Sequence, residues 1–116
     1  MDFHDEFKKS LKKYKSLEGL IFVDPDGEAI LFEGPIADPF NLQLAGAKMP
    51  LLMGQYCGPS VSLPKTMEIG FEQYYIISVR LEEDYSISAI GNDRSVKGQI
   101  LDHLGELAEK FNKEIV

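Results

Sequence analysis

Apolar residues recur along this chain in two rhythms, one near 3.6 residues and one near two. Phe3, Phe7, Leu11, Tyr14 and Leu17 stand at helical spacing and predict an N-terminal helix with one buried stripe, Asp2 as its N-cap and Gly19 as its end. Leu20, Ile21, Phe22 and Val23 form an unbroken apolar run, which reads as a strand buried on both faces. Asp24-Pro25-Asp26-Gly27 follows as a turn. Pro25 presets φ, the aspartates bond to nearby backbone, and Gly27 accepts a positive φ. Glu28 to Glu33 returns as a second strand, so residues 20–33 read as a hairpin.

The segment from Asp38 to Cys57 is the unusual one. At about 100° per residue, Phe40, Leu44, Ala47 and Leu51 share one face of a helix, and Leu42, Ala45, Met49, Leu52, Met53 and Tyr56 fall roughly opposite. One apolar stripe suffices for a helix to meet its own core. The second stripe requires another partner, most simply another protein chain. Asp38 serves as N-cap and Pro39 as first helical residue, while Pro50 removes a backbone donor and predicts a kink or two shorter helices.

Three strands and a helix complete the pattern. Met67, Ile69 and Phe71 alternate with Glu68, Gly70 and Glu72 in a half-exposed strand. Tyr75, Ile77, Val79 and Leu81 face one way in the next, with Ile76 on the other side. Glu82-Glu83-Asp84 is a turn, and Tyr85, Ile87 and Ala89 then alternate with Ser86, Ser88 and Ile90. Gly91-Asn92-Asp93 leads into a last helix with Val96, Ile100, Leu104, Leu107 and Phe111 as its buried stripe. The order α-β-β-α-β-β-β-α, with hairpin-sized connections, predicts an α+β fold. It has a five-stranded, mainly antiparallel sheet with the two terminal helices on one face and the middle helix on the other.

Composition narrows the function. A chain of 116 residues reads as one domain, residues 1–116, without repeats or linkers. No apolar run approaches the ~20 residues of a membrane span, and the charged N-terminus lacks a signal-peptide core. A single cysteine, Cys57, rules out an intrachain disulfide framework and fits a cytoplasmic protein. The net charge is −7. The first fifteen residues run against it, with Lys8, Lys9, Lys12, Lys13 and Lys15 opposed only by Asp2, Asp5 and Glu6. An acidic body argues against nucleic acid as a partner. The lysines read as a solvated helix face, with an anionic membrane or an acidic partner as the alternative.

Catalytic and metal constellations do not emerge. Asp24-x-Asp26-Gly27 begins like a calcium loop, but Ala29 and Pro35 stand where glycine and glutamate are required. His4 and His103 have no neighbouring ligand at metal spacing and read as surface or helix-flank residues. Cys57 has neither a CxxC partner nor a basic neighbour to activate it. Glu28, Glu33, Glu68 and Glu72 read as solvated strand positions. Arg80 and Arg94, the only arginines, read as surface or helix-start contacts rather than transition-state fingers. The reading is a non-enzymatic protein with no cofactor.

Leu17-Glu18-Gly19-Leu20-Ile21-Phe22-Val23-Asp24-Pro25-Asp26-Gly27-Glu28 and the stretch from Asn92 to Ile100, with Gly98 at a small position, resemble the Roadblock/LC7 family, whose architecture is profilin-like. The likeness is greatest to the short prokaryotic members that regulate Ras-like GTPases. It implies a homodimer in which middle helices lie side by side and the third strands join two sheets into one. Carried over, Leu42, Ala45, Met49, Leu52, Met53 and Tyr56 make the dimer or partner interface, together with Glu68 and Gly70 on a joining edge formed by residues 66–72. Pro50 departs from the family helix, which is usually uninterrupted. Gln43, Lys48 and Gln55 are the polar positions on that helix able to reach a GTPase.

Two functions follow from these readings. The first is a homodimeric scaffold that binds a small Ras-like GTPase and alters its nucleotide cycle. The second is a small-molecule sensor of profilin- or PAS-like architecture, with a cavity between sheet and middle helix lined by Phe22 or Phe32.

Overall fold

The computed structural model describes residues 2–35, 46 and 65–115. Helix α1, Phe3–Lys13, starts where Asp2 Oδ1 accepts the N–H of His4 at 2.9 Å and that of Asp5 at 3.4 Å. It carries Asp5 and Glu6 in its first turn and Lys12 and Lys13 in its last, each sign at the helix end whose dipole favours it. The chain turns at Tyr14, whose carbonyl accepts the N–H of Leu17 at 3.1 Å.

Strand β1, Leu17–Val23, begins directly after that turn. Leu17 keeps the helical spacing of α1 but belongs to the strand, and Gly19, expected to end the helix, is buried inside β1. Strand β2, Ala29–Glu33, pairs antiparallel with it. The turn between them has the predicted mechanism: Asp24 Oδ1 accepts from the N–H of Asp26 at 2.9 Å and of Glu28 at 3.0 Å, and Gly27 sits at φ 85°. Two bulges adjust this part of the sheet. Glu18 is the extra residue of β1 against its other neighbour, and Ile30 is the extra residue of β2, 52% exposed.

Strands β3, Thr66–Gly70, β4, Tyr75–Arg80, and β5, Ser86–Gly91, complete an antiparallel sheet of order β2-β1-β5-β4-β3. The β4–β5 turn holds Glu83 and Asp84 at positive φ. Asp93 then caps a 3-10 turn, Arg94–Val96, by accepting from Ser95 N–H and hydroxyl, and helix α2, Lys97–Ile115, follows.

Both terminal helices lie on one face of the sheet. Phe7 of α1 and Ile100, Leu104, Leu107 and Phe111 of α2 are buried with Leu20, Phe22, Ile77, Ile87 and Ala89. Phe111 is the hub: it stacks on Phe3 at 4.2 Å and on Phe7 at 5.6 Å, and meets the edge of Phe22 at 5.2 Å. Each such buried side chain contributes roughly 1.5–3 kcal/mol. The opposite face carries a second cluster of Ile21, Val23, Ile76 and Ile90, all fully buried.

The predicted middle helix lies outside the described residues except at Gly46, which is helical and buried. That one residue sits on the second face: a Cβ on it would run into Ile21 Cδ1 and meet Ser88 Cβ at 3.7 Å.

Candidate functional site

The surface of interest starts from the backbone of β3. Phe71 N–H donates to Tyr74 carbonyl at 2.7 Å, and Lys65 carbonyl accepts Arg80 N–H at 2.7 Å, so residues 65 and 71 turn their polar groups toward β4. Backbone groups alternate along a strand. Met67 and Ile69 therefore also face β4, while Thr66, Glu68 and Gly70 turn N–H and C=O away from it. Among the described residues no strand pairs with that side. Two of the predicted interface residues, Glu68 and Gly70, are thus, with Thr66, among those with outward-facing backbone.

Side chains of β3 divide between the two faces of the sheet. Met67 and Ile69 pack against the second cluster. Glu68 faces the α2 side and pairs with Lys97 Nζ at 2.9 Å. Gly70 lies 3.3 Å, measured from the position its Cβ would take, from the Arg94 guanidinium, which also donates to the Phe71 carbonyl. Phe71 and Tyr74 stack at 4.7 Å at the tip of the hairpin, with Phe71 38% exposed. The edge is short, and it bears a charged side chain.

The second face has a polar element that the sequence did not single out. Ser86 and Ser88, expected to alternate with the buried positions of β5, are themselves fully buried. Ser78 and Ser88 hydroxyls lie 2.5 Å apart, and Ser88 Oγ donates to the Gly46 carbonyl at 3.5 Å. Small side chains there let a helix backbone approach the sheet closely.

The remaining sequence-predicted interface residues, Leu42, Ala45, Met49, Leu52, Met53 and Tyr56, lie outside the described residues, as do Gln43, Lys48, Gln55, Pro50 and Cys57. Arg80 pairs with Asp84 at 2.9 Å, a surface contact as read. Glu33 is paired with His4 at 2.5 Å rather than merely solvated. Of the two readings of His103, surface or helix flank, the structure fits the second: on the flank of α2 its side chain is 13% exposed, Nε2 lies 2.6 Å from Ser10 Oγ and the ring packs on Tyr14. Burial, above all, holds its pKa below 6.5. Only the fold brings Ser10 to it, and no local pattern marks that.

Two further expectations change. Phe22 and Phe32 lie on opposite faces of the sheet, so only Phe32 could line a cavity on the middle-helix side. Gly98 has open space where its Cβ would stand, so packing does not demand a small residue there. Among the described residues no group of three or more His, Cys, Asp or Glu is placed to hold a metal ion, and no helix is long and apolar enough to cross a membrane.

No protein-family model matches the sequence, and no curated protein matches it. Solved structures do. The chain is similar to MglB of Myxococcus xanthus, with a TM-score of 0.77 at 14% identity, covering 99% of this chain and 98% of that one. A Roadblock/LC7 domain from Streptomyces avermitilis gives a TM-score of 0.75 at 10% identity, over 99% of this chain and 98% of that one. An MglB described as having a tetrameric arrangement gives 0.76 at 12% identity, over 95% and 85%. The fold is that of Roadblock/LC7 domains.

Proposed function

We propose that this chain is a non-enzymatic homodimeric regulator of a small Ras-like GTPase. The observation that carries the reading is the likeness to MglB over 99% of the chain, which joins the Roadblock/LC7 resemblance of the sequence. The outward-facing backbone of β3 supports it. In the dimer, the β3 edges of two protomers meet and join two sheets, removing an exposed edge. The middle helices lie side by side, with Leu42, Ala45, Met49, Leu52, Met53 and Tyr56 in the seam or the adjoining partner surface.

The paired helices form a platform for the switch loops of the GTPase, and Gln43, Lys48 and Gln55 reach it. Regulation then requires no catalytic group from this chain. The platform shifts the switch loops by binding one of their arrangements more tightly than the other.

Light scattering at micromolar concentration gives the mass of a dimer under this reading. Ras-like GTPases from the same genome, loaded with GDP or a GTP analogue, are retained unequally on the immobilised protein. Replacing Met49 and Leu52 together by glutamate abolishes pairing while the protomer stays folded. A strict monomer, or a double variant of unchanged mass, defeats the seam; equal retention in both nucleotide states defeats the regulatory role.

A further inference from the structure

On its outer side, away from α1, α2 borders a groove of about 680 Å³ above β3 and β4. Helix α1 packs over β1 and β2 and α2 over β4 and β5, so this groove is where the helical layer stops short of the sheet edge. Its α2 wall is Leu101, Gly105, Ala108 and Asn112, one stripe at spacings of four, three and four. Leu101 is 37% exposed, one of three large apolar side chains so placed among the described residues. A Cβ on Gly105 would meet nothing within 4 Å. Small side chains on such a stripe let a second helix approach to about 8–10 Å between axes.

The rim is acidic. Asp102, Glu106 and Glu109 run along α2 beside the stripe, and Glu82 closes one end. Two cations line the same groove, Lys65 and Arg80, and Arg80 is held by Asp84. Asp102 and Glu109 are exposed and bonded to no described side chain.

We propose that this groove docks a basic amphipathic helix of a partner protein. Its apolar stripe lies along Leu101, Gly105 and Ala108, and its lysines or arginines face Asp102, Glu106 and Glu109. The helix form follows from the wall, a straight stripe of about three turns. The charge follows from the rim, because Asp102 and Glu109, bonded to no described side chain, and Glu106, whose one neighbour is His103 Nδ1 at 3.8 Å, together favour a cationic flank and reject an anionic one. The chain's own α1 fits less well, since its exposed side offers lysines while Phe3 and Phe7 pack on Phe111. The site is remote in sequence from the middle helix and needs no GTPase, although its β3 side, at Lys65 and Thr66, borders the edge along which the proposed dimer joins.

The probe is a fluorescein-labelled, end-capped peptide of alanine, leucine and lysine, about 16 residues long so as to span the stripe. Its leucines are spaced four, three and four, with lysines on one flank. Binding is followed by fluorescence anisotropy with the full-length protein. Gly105→Leu plugs the groove in open space, and melting curves verify that it folds. The expected result is a loss of about tenfold or more in affinity with Gly105→Leu. A similar loss is expected with Asp102→Lys, Glu106→Lys and Glu109→Lys combined, and binding weakens with salt. A glutamate version of the peptide should bind that triple variant better than the unaltered protein. Amide shift changes in the unaltered protein should centre on residues 101–112, a measurement that needs no variant. Failure to bind at millimolar concentration, or equal affinity for the plugged variant, overturns the proposal. So does tighter binding of a peptide of residues 2–16 than of the designed probe, which would make the groove a contact between copies.

Discussion

Ser10 Oγ and His103 Nε2, on α1 and α2, lie 2.6 Å apart, and the direction of their hydrogen bond can be assigned. The serine hydroxyl gives its one proton to the Glu6 carbonyl at 2.9 Å, so toward the histidine it is an acceptor. His103 therefore donates from Nε2–H, and in the neutral ring Nδ1 is left with a bare lone pair. Nδ1 is buried without a hydrogen-bond partner, and Glu106 stands 3.8 Å away. The contact ties the two terminal helices together only while they are packed on the sheet.

This arrangement makes stability depend on pH in a definite direction. Burial lowers the pKa of folded His103 below 6.5, and Lys13 and Lys110 add to that, while Glu106 and Glu6 oppose it. Between the unfolded value near 6.5 and the folded value, the unfolded chain binds more protons, so stability falls as pH drops through that window and levels off below it. His103→Gln cannot titrate. The fall in Tm between about pH 7.5 and 5.5 should therefore be smaller in this variant than in the unaltered protein. Equal falls would show that His103 contributes nothing to the slope.

The β1–β2 turn offers a second test. Asp24 Oδ1 accepts two backbone N–H groups, and Asp24→Ala leaves both to water, at a cost of about 1 kcal/mol. Gly27 is at φ 85°, where an alanine costs about 1–2 kcal/mol through its Cβ. Urea titrations of the two variants should show lower midpoints with unchanged slopes. A midpoint unaltered by Gly27→Ala would mean that the turn readily adopts another conformation.

Close packing between β4 and β5 gives a third. A Cβ on Gly91 would stand 2.5 Å from the Tyr75 ring, whose hydroxyl reaches toward the Asp93 carbonyl. Gly91→Ala should destabilise by about 1–3 kcal/mol through overpacking. Tyr75→Leu removes the obstructing ring, so in the double variant the alanine should cost less than it does alone. Strict additivity would indicate that the ring is not the obstacle.

Much of this molecule could be read from local pattern. Burial on both faces of Leu20–Val23, the partition of Ile76 from Tyr75, Ile77 and Val79, and the Asp24 turn each depend on spacing within a few residues. The limits fall where a contact spans the chain. Leu17 continues the helical rhythm of Phe3, Phe7, Leu11 and Tyr14, yet it starts β1 because the chain turns at Tyr14. For His103 the local pattern leaves surface and helix flank open, because its partner Ser10 lies 93 positions away. Phe32 looked interchangeable with Phe22, but Ile30 bulges out of β2 and the two rings pack on opposite faces. For the candidate interface, alternation placed Glu68 and Gly70 on one face of a half-exposed strand. The outward direction of their backbone needed the pairing with β4.

That direction supplies the sharpest test of the proposed dimer. In β3 the backbone N–H of Glu68 points away from β4, so a proline at position 68 removes a donor that the described sheet does not use. The same change at position 69 deletes a donor to β4 and opens the hairpin. Glu68→Pro also loses the pair with Lys97, an exposed contact worth about 0–1 kcal/mol, and Glu68→Ala serves as control for that loss alone. Under the edge-joining reading, Glu68→Pro weakens dimerisation by about tenfold or more while retaining most of the thermal stability, and Glu68→Ala leaves the mass at that of the dimer. Ile69→Pro lowers Tm sharply. Should Glu68→Pro remain as dimeric as Glu68→Ala, the protomers do not meet along β3, and the association must be sought on the middle helices alone.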